Sequence, residues 1–211
     1  MNKIIEDLNW RYATKKYDTT KKISAEDFNT IKESLRLSPS SFGLQPLKYI
    51  VVENKELREE LKVHSFNQSQ ITDASHMIVF CSLIDIKENH IDQYIENIAK
   101  TRSQEIEKIV GFGDYMKKEI FPMDKSLLAN WNSKQAYIAL GQVLHTCANL
   151  RIDATPMEGF KADKYDEILC LTEQNLKSIL VCAFGYRSSD DLNSSLLKVR
   201  KSQNDLFYTI L

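Results

Sequence analysis

Two pairs of basic residues lie near opposite ends of the sequence, and each pair is spaced so that its side chains share one side of the backbone. Arg11 and Lys15 are four residues apart in "WRYATKKYD", where a helical pattern runs out. Lys198 and Arg200 alternate in "LKVRK", so they point the same way in an extended segment. Two such pairs can clamp one phosphate, and arginine suits bidentate contact. The same spacing also fits ordinary solvated basic patches, so both interpretations stay open.

Three polar segments have the composition of a wall around a flat ligand. In "TPMEGF", Pro156 restricts its neighbour and Gly159 allows close approach of the backbone. The segment "FNQSQ" supplies carboxamides, which pair with donors and acceptors on a heterocycle edge. The loop "SPSSFGLQP" places two hydroxyls between prolines. Each signal is weak alone, because loops are commonly polar.

Several common catalytic motifs are missing from the sequence. The six glycines form neither G-x-G-x-x-G nor a Walker loop, and "GFGDYM" has Met116 where a third glycine belongs. No G-x-S-x-G elbow for a serine nucleophile is present. No metal site is predicted, because the histidines are isolated from the cysteines and from one another. Two of them, His76 and His145, are expected in or near the core with their hydrogen bonds satisfied.

Composition predicts one globular domain over residues 1–211. Hydrophobic residues make up 43% of the chain and aromatic residues 9%, as in soluble folded proteins. The 28 Lys and Arg against 29 Asp and Glu give a net charge of −1, which supports neither a nucleic-acid partner nor a membrane partner. No apolar run reaches the length of a membrane span, and the first residues lack a signal-peptide core.

The cysteines predict a reducing environment. Cys81, Cys147, Cys170 and Cys182 lie in apolar surroundings without a C-x-x-C pair. Buried, reduced thiols are therefore expected for all four, in preference to disulfides or metal ligands. A cytoplasmic location is the corresponding prediction.

The elements that must position these residues alternate between helices and strands. A helix is predicted over 2–13, with Ile4, Ile5, Leu8 and Tyr12 on one stripe. Ser24 marks the start of a second helix, which ends before a proline. Strands are predicted at 48–53, in "SHMIVFCSLID" and in "LKSILVCAFGY". Residues 90–121 and 125–150 read as helical, "RIDATPMEGF" as a link, and the apolar tail as a segment that packs on something.

Taken in order, five segments of the chain resemble the FMN-dependent nitroreductase family. They are "RYATKKYD", "SPSSFGLQPLKYIVV", "FNQSQITDASHMIVF", "ATPMEGF" and "LKVRKSQNDLF". The resemblance is to the oxygen-insensitive NAD(P)H nitroreductase and dihydropteridine reductase branch, and it spans nearly the whole chain. It implies an α+β fold in which helices surround a central, mainly antiparallel sheet. It also implies an intertwined homodimer with two FMN sites at the interface and the C-terminal extension exchanged between subunits.

The resemblance implies which residues bind the phosphate end of FMN. Arg11, Lys198 and Arg200 would hold the phosphate, and Tyr12 and Ala13 would contact the cofactor nearby. Ala13 stands where many relatives have serine, so one hydrogen bond to the phosphate or ribityl chain is expected to be absent.

The resemblance also implies which residues surround the flavin ring. Lys15 and Asn67 would bond its pyrimidine edge, and Glu158 and Gly159 would lie near flavin N5, mostly through backbone groups. Pro156 would shape that segment, and Pro39, Ser40 and Ser41 would come from the other subunit. Gln70 stands where close relatives have lysine near the flavin, so it is expected to stabilise the reduced cofactor less well and to lower its potential.

The activity that follows from the resemblance is reduction of nitroaromatics or quinones at the expense of NADH or NADPH. Hydride would pass through flavin N5 in two alternating half-reactions. No side-chain catalytic residue is assigned, because the cofactor carries the chemistry. The alternatives are a dedicated reductase of a metabolite such as a dihydropteridine or free flavin, and a non-enzymatic, redox-responsive flavin-binding dimer. Phe112, Tyr115 and Phe121 are candidates for the substrate channel, although helix packing explains them equally well.

Overall fold

The computed structural model describes residues 2–210, which form a four-stranded antiparallel sheet with helices packed on both faces. The strands are Leu47–Val51 (β1), His76–Leu83 (β2), Asp153–Met157 (β3) and Leu176–Gly185 (β4). The α-helices of this part of the chain are Lys3–Trp10 (α1), Ala25–Arg36 (α2), Lys55–Val63 (α3), Gln70–Asp73 (α4), Glu88–Arg102 (α5), Val110–Ile120 (α6), Lys125–Asn149 (α7), Ala162–Ile168 (α8) and Gln203–Leu206 (α9).

The sheet order is β1-β2-β4-β3, and each neighbouring pair is antiparallel. The two central strands are the predicted apolar runs, and residues 77–82 and 180–185 are buried throughout. Their alternate side chains enter different cores, because successive strand residues face opposite sides of a sheet. Ile78 and Phe80 pack with α2 and α7, whereas Met77 and Val79 pack with α3 and α4. The α+β fold implied by the resemblance is confirmed.

Strand β3 corrects one prediction, because it lies in "RIDATPMEGF", which was expected to be a link. Pro156 is the reason that the sequence conceals this strand, since proline cannot donate a backbone hydrogen bond. The structure tolerates it because β3 is an edge strand paired only with β4, where Pro156 lies opposite Cys182.

The helix predictions are confirmed in part. The hydroxyl of Ser24 caps α2 by accepting the backbone N–H of Asp27 at 3.0 Å, and α7 is the longest helix at 25 residues. The first helix ends three residues early, because Arg11 adopts an extended conformation with φ −70° and ψ 140°. Residues 90–121 are largely helical, as predicted, and fall into two helices because the chain turns at Ser103 with φ +51°.

Two buried-residue predictions need correction. Cys81, Cys147 and Cys182 are buried as expected, but Cys170 is exposed, because the chain turns at its φ of +49° just after α8. His145 is half-buried, and its Nε2 has no hydrogen-bond partner among residues 2–210, so it is not satisfied as predicted.

Candidate functional site

A cavity of about 370 Å³ lies where residues 9–15, at the end of α1, meet residues 193–200 of the tail. Arg11 and Lys15 line it from the first segment, and Lys198 and Arg200 line it from the second. We call it the four-cation cavity. The two basic pairs of the sequence therefore do converge, although Arg11 and Lys15 share no helix face because α1 ends at Trp10.

The positive charges of this cavity are not neutralised within residues 2–210. No carboxylate lies within ion-pair distance of the four basic side chains. Burial lowers the pKa of Arg11, and the charge of Arg200 lowers it further. Burial and then both arginines lower the pKa of Lys198. Like charges held together at partial burial are costly without an anion, so the arrangement is suited to a phosphate.

Lys198 fastens the tail to the end of α1. Its Nζ donates hydrogen bonds to the carbonyl oxygens of Leu8 and Arg11. Carbonyls at a helix C-terminus carry partial negative charge, which favours an ammonium group there. The contact joins residues that are 187 positions apart, so the cavity depends on the tail taking this path.

Arg187, which sequence reasoning missed, organises the wall behind the cavity. Its guanidinium forms a forked pair with Asp153, with Nε at 3.0 Å and Nη2 at 2.6 Å from Oδ1. It also stacks on Trp10 and Tyr12, with its central carbon 4.2 Å and 4.5 Å from the ring centroids. The carboxylate of Asp153 is almost fully buried, so this pair ties the start of β3 to the cavity wall.

Asp191, a second residue that sequence reasoning missed, holds the segment that carries Lys15. Its Oδ2 accepts hydrogen bonds from the hydroxyl of Tyr12 at 3.0 Å and from the backbone N–H groups of Lys15 at 2.7 Å and Lys16 at 3.1 Å. Its Oδ1 accepts from the backbone and side chain of Asn193. Burial acts to raise the pKa of Asp191, but these hydrogen bonds outweigh it and lower the pKa to about 2.

Replacing Asp191 with asparagine is expected to destabilise the protein at neutral pH by about 1–3 kcal/mol, because an amide NH₂ must then face N–H donors. The folded-state pKa of about 2 lies below the ordinary value of 3.8. The contribution of the carboxylate is therefore complete above pH 3.8 and is lost as the pH falls towards 2. Urea unfolding of wild type and Asp191→Asn should give a stability gap that narrows in acid.

The neighbouring Asp190 provides the control, since within residues 2–210 its exposed carboxylate forms an ion pair only with Lys16 at the surface. Asp190→Asn should change stability by less than about 1 kcal/mol. A gap between wild type and Asp191→Asn that is the same at pH 7 and near pH 2 would contradict the assigned hydrogen bonds.

A buried hydroxyl network connects the cavity segment to the sheet. The hydroxyl of Tyr17 donates to the carbonyl of Ala183 at 2.9 Å and lies 2.9 Å from Thr155 Oγ1. Thr155 in turn donates to the carbonyl of Thr14 at 2.8 Å. Residues 14–17 are therefore fixed to β3 and β4.

A second region lies at the far end of β3, where the strand runs into Glu158 and Gly159. Five extended residues rise about 3.3 Å each, so β3 leads roughly 17 Å away from Asp153. Gln68 donates from Nε2 to the carbonyl oxygen of Gly159 at 2.8 Å. A Cβ added at Gly159 would lie only 3.3 Å from that Nε2, so the glycine permits the contact. Sequence reasoning cited "FNQSQ" for its carboxamides but did not select Gln68.

Of the residues predicted for the flavin ring, Lys15 lines the four-cation cavity and the others lie outside it. Asn67 is exposed with φ +55°, whereas Gln70 is buried at the start of α4. Pro156 and Glu158 line a separate cavity of about 350 Å³ together with Tyr137. The hydroxyl of Tyr137 donates to Glu158 at 2.5 Å; burial and then this bond raise the pKa of Tyr137 to about 12. The four-cation cavity of this chain is not lined by Asn67, Gln70, Pro156, Glu158 or Gly159.

The loop with Pro39, Ser40 and Ser41 also lies outside the four-cation cavity. The backbone N–H of Ser41 donates to Gln135 of α7 at 2.8 Å, and Ser40 accepts the N–H of Gln45 at 2.9 Å. The hydroxyl of Ser40 is therefore used within the loop, and Pro39 is exposed.

Aromatic side chains form a cluster beside this loop. The ring of Phe42, which has φ +58°, lies 6.2 Å from Phe112, 6.0 Å from Tyr115 and 6.2 Å from Trp131. Phe112, Tyr115 and Phe121 each expose more than a third of their surface. Phe112 and Tyr115, two of the three residues predicted for the substrate channel, therefore contribute to an apolar, accessible surface.

Residues 2–210 contain no helix with the length and apolar character needed to span a bilayer. Within the same residues, no group of three or more His, Cys, Asp or Glu side chains is arranged to hold a metal ion.

Comparisons with known proteins match most of the chain. The model of the Nitroreductase family matches residues 8–186. A Staphylococcus epidermidis protein named "Putative NAD(P)H nitroreductase" is 39% identical over 212 residues, covering 96% of this chain and 94% of its own length. A Staphylococcus aureus protein of the same name is 39% identical over 216 residues, covering 98% and 95%.

Solved structures share the fold at lower sequence identity. A crystal structure described as a "putative NAD(P)H:FMN oxidoreductase" from Staphylococcus epidermidis has a TM-score of 0.88 at 20% identity, covering 100% of this chain and 97% of that one. A "putative nitroreductase in complex with FMN" from Exiguobacterium sibiricum has a TM-score of 0.83 at 20% identity, covering 98% and 97%.

Proposed function

Because the chain belongs to the nitroreductase family, we propose that it is a cytoplasmic, FMN-dependent NAD(P)H oxidoreductase that reduces nitroaromatics or quinones in two alternating half-reactions. The observation that carries the proposal is the four-cation cavity. Its side chains come from two distant segments, crowd like charges together and have no carboxylate partner within residues 2–210. A phosphate dianion is the ligand chemistry that this arrangement stabilises.

The proposed roles follow the two ends of the site. Arg11, Lys198 and Arg200 bind the phosphate, and Lys15 lies nearer the ring because Asp191 holds its backbone in place. FMN, when bound, supplies the hydride chemistry between a nicotinamide and the second substrate.

At the ring end, the proposed roles are mainly positioning. The side chain of Gln68 holds the carbonyl oxygen of Gly159 by a hydrogen bond. The remaining backbone groups of Glu158 and Gly159 are then held in a fixed position, where a flat ring can contact them. Asn67 is exposed and free to bond a heterocycle edge. The side chains orient the cofactor and exclude water, and none needs to act as a nucleophile.

We further propose that the active form is a homodimer in which the C-terminal extensions beyond Arg200 are exchanged between subunits, while Lys198 and Arg200 stay in the four-cation cavity of their own chain. The tail residues Leu197, Val199 and Tyr208 expose 93%, 85% and 90% of their surface, and Ile4 and Ile5 of α1 expose about half of theirs. Apolar surface of this extent marks an interaction site. Strand β1 is an edge of the sheet and offers unpaired backbone groups to an added strand. The same exchange would bring Pro39, Ser40 and Ser41 of the other subunit to the cofactor.

Replacing Phe207 and Tyr208 together by serine is expected to convert the dimer to monomer and to reduce FMN content. The two side chains expose 74% and 90% of their surface in the single chain, so their loss costs nothing within it. Their burial against a partner would contribute about 1.5–3 kcal/mol each. Size-exclusion chromatography with light scattering gives the mass, and Leu37→Ser, at an exposed position on α2's end, is the control. A double variant that remains dimeric with full FMN would refute the exchange.

The activity test uses the purified protein with FMN added. Under anaerobic conditions the yellow protein should bleach with NADH or NADPH, and it should regain colour with a quinone or nitroaromatic. Stopped-flow measurement of each half-reaction separates the two nicotinamides and ranks the second substrates. A dedicated metabolite reductase would show one dihydropteridine or flavin far ahead of the panel. A protein that binds FMN but never bleaches would be the non-enzymatic dimer, and one that binds no FMN would refute the proposal.

Replacing Gln70 with lysine is expected to raise the potential of the bound flavin. Gln70 is 6% exposed, so a new charge there would be poorly screened. At roughly 4 Å and an intermediate dielectric, it is worth at most about 4 kcal/mol to an anionic ring. Spectroscopic titration against a redox dye measures the shift, and Gln68→Lys tests whether any lysine in this segment suffices. An unchanged potential in Gln70→Lys would show that residue 70 does not sense the flavin.

A further inference from the structure

A second cavity, of about 460 Å³, shares no lining residue with the four-cation cavity. It lies where the beginnings of α2, α3 and β2 meet. We call it the Arg58 cavity. Its lining residues are Lys22, Ile23, Val52, Glu53, Lys55, Arg58, Glu59, Thr72, Ser75 and His76. The volume is within the range of small-molecule binding sites.

Arg58 is a buried cation in the wall of this cavity. Its residue is 6% exposed, and its Nε and Nη2 donate to the carbonyls of Ile71 at 2.6 Å and Ala74 at 2.8 Å. No residue among 2–210 accepts a hydrogen bond from its Nη1, and no carboxylate of this part of the chain lies within ion-pair distance. Nη1 has no hydrogen-bond partner within these residues and is not one of their buried unpaired atoms, so it is accessible to an anion in the cavity, although the charge of Asp73 also acts on Arg58.

Ser75 and His76 add a second donor to the same wall. Ser75 Oγ accepts the backbone N–H of Ile23 at 2.9 Å and lies 3.0 Å from Nδ1 of His76. If the serine donates to Nδ1, the ring proton is on Nε2; if Nδ1 donates, the serine proton is unused. Either arrangement leaves one donor. The His76 ring is held by stacking on Phe28, with centroids 3.8 Å apart.

The charges around the cavity favour a ligand with one anionic group. Lys22 and Lys55 stand at its rim, and the positive ends of the α2 and α3 dipoles lie beside it. Glu53 and Glu59 are also at the rim. The two carboxylates would repel the outer charges of a polyphosphate, whereas the buried donors remain available to a single carboxylate or phosphate.

We propose that the Arg58 cavity binds a small organic molecule through one carboxylate or phosphate group held by Arg58. The group contacts Nη1 of Arg58 and the donor of the Ser75–His76 pair, and the remainder of the molecule lies against Ile23 and Val52. The site is separate from the cofactor, so its occupant is neither the flavin nor the nicotinamide.

The test is NMR titration of the protein saturated with FMN, so that probe anions cannot enter the four-cation cavity. Inorganic phosphate and acetate are titrated separately, with sodium chloride at matched ionic strength as the reference. Saturable shifts are expected at the backbone amides of Ser75 and His76 and at the Nε–H of Arg58. The anion that binds more tightly identifies the group as phosphate or carboxylate.

Three variants make the result decisive. Arg58→Lys keeps the charge but loses the fork and should weaken binding about fivefold or more. Lys22→Gln, at the exposed rim, should weaken it about twofold to threefold and keeps the test valid if Arg58→Lys does not fold. Lys177→Gln, an exposed position on β4 outside the cavity, should bind as wild type.

The proposal is overturned by any of three results. In the first, the shifts at Ser75 and His76 do not saturate. In the second, chloride reproduces those shifts. In the third, Lys22→Gln and every folded Arg58 variant bind both anions as tightly as the wild type does.

Discussion

Replacing Arg11 with glutamine is expected to weaken FMN binding by about 10- to 150-fold. A hydrogen bond to a charged group contributes about 1.5–3 kcal/mol, and every 1.4 kcal/mol is a factor of ten in affinity. The upper part of the range applies here, because Arg11 is half-buried and its interaction with a phosphate is poorly screened by solvent. Isothermal titration of the cofactor-free protein with FMN measures the change directly.

The stability of the cofactor-free protein separates a binding role from a structural one. Burial and then the charge of Arg200 lower the pKa of Arg11, so its charge is unfavourable when no anion is present. Arg11→Gln should therefore leave the free energy of unfolding unchanged or raise it slightly while affinity falls. Arg36→Gln removes an arginine whose one ion pair in the described part of the chain is exposed, with Glu33, and should alter neither quantity. Equal losses of stability and affinity in Arg11→Gln would contradict the assigned role.

Replacing Arg187 with methionine is expected to lower the free energy of unfolding by about 3–5 kcal/mol, because the carboxylate of Asp153 then stays buried without its partner. The Asp153 side chain is 3% exposed. Of the hydrogen bonds that Arg187 donates to it, only the one from the backbone N–H would remain. Methionine keeps contact with Trp10 and Tyr12, so the loss reports mainly on the charge. Urea denaturation monitored by circular dichroism measures it.

A double variant supplies the control for this prediction. Asp153→Asn in the Arg187→Met background removes the unpaired charge and should recover part of the lost stability, although each single change destabilises. An exposed pair gives the contrast: Arg36→Met should cost less than about 1 kcal/mol. If the double variant is as unstable as the sum of the single variants, Asp153 and Arg187 do not act as a pair.

The sequence was sufficient to predict those elements whose structure is decided by local burial and capping. The apolar run of β2 predicted a central strand, that of β4 predicted a strand, and Ser24 predicted the start of α2 through its own side chain. The family resemblance added what periodicity could not, namely the antiparallel α+β arrangement. Charge type and spacing left ordinary solvated patches as an alternative, and it was the resemblance that implied a shared site for Arg11 and Arg200, which do line one cavity. The argument that Arg11 and Lys15 share a helix face was wrong.

The residues that escaped prediction act through partners far along the chain. Asp191 lies in "SSDDLNSS", where it reads as one of two solvated acids in a turn, and an Asx-turn pattern accounts only for its bond to Asn193. Its hydrogen bonds to Tyr12 and Lys15 involve partners more than 170 positions away along the chain. Strand β3 was missed because a proline rule valid for central strands does not apply at an edge.

The hydrogen bonds from Lys198 to the carbonyls of Leu8 and Arg11 have a consequence for the order in which the protein folds and binds its cofactor. During synthesis the arginine of the first segment leaves the ribosome long before its counterparts in the last, and domains begin folding from the N-terminal side. Residues before the tail can therefore form the sheet while they still lack a competent phosphate pocket. We therefore expect capture of the cofactor to be a late step, because a chain that ends before Lys198 lacks two of the four cations of the cavity.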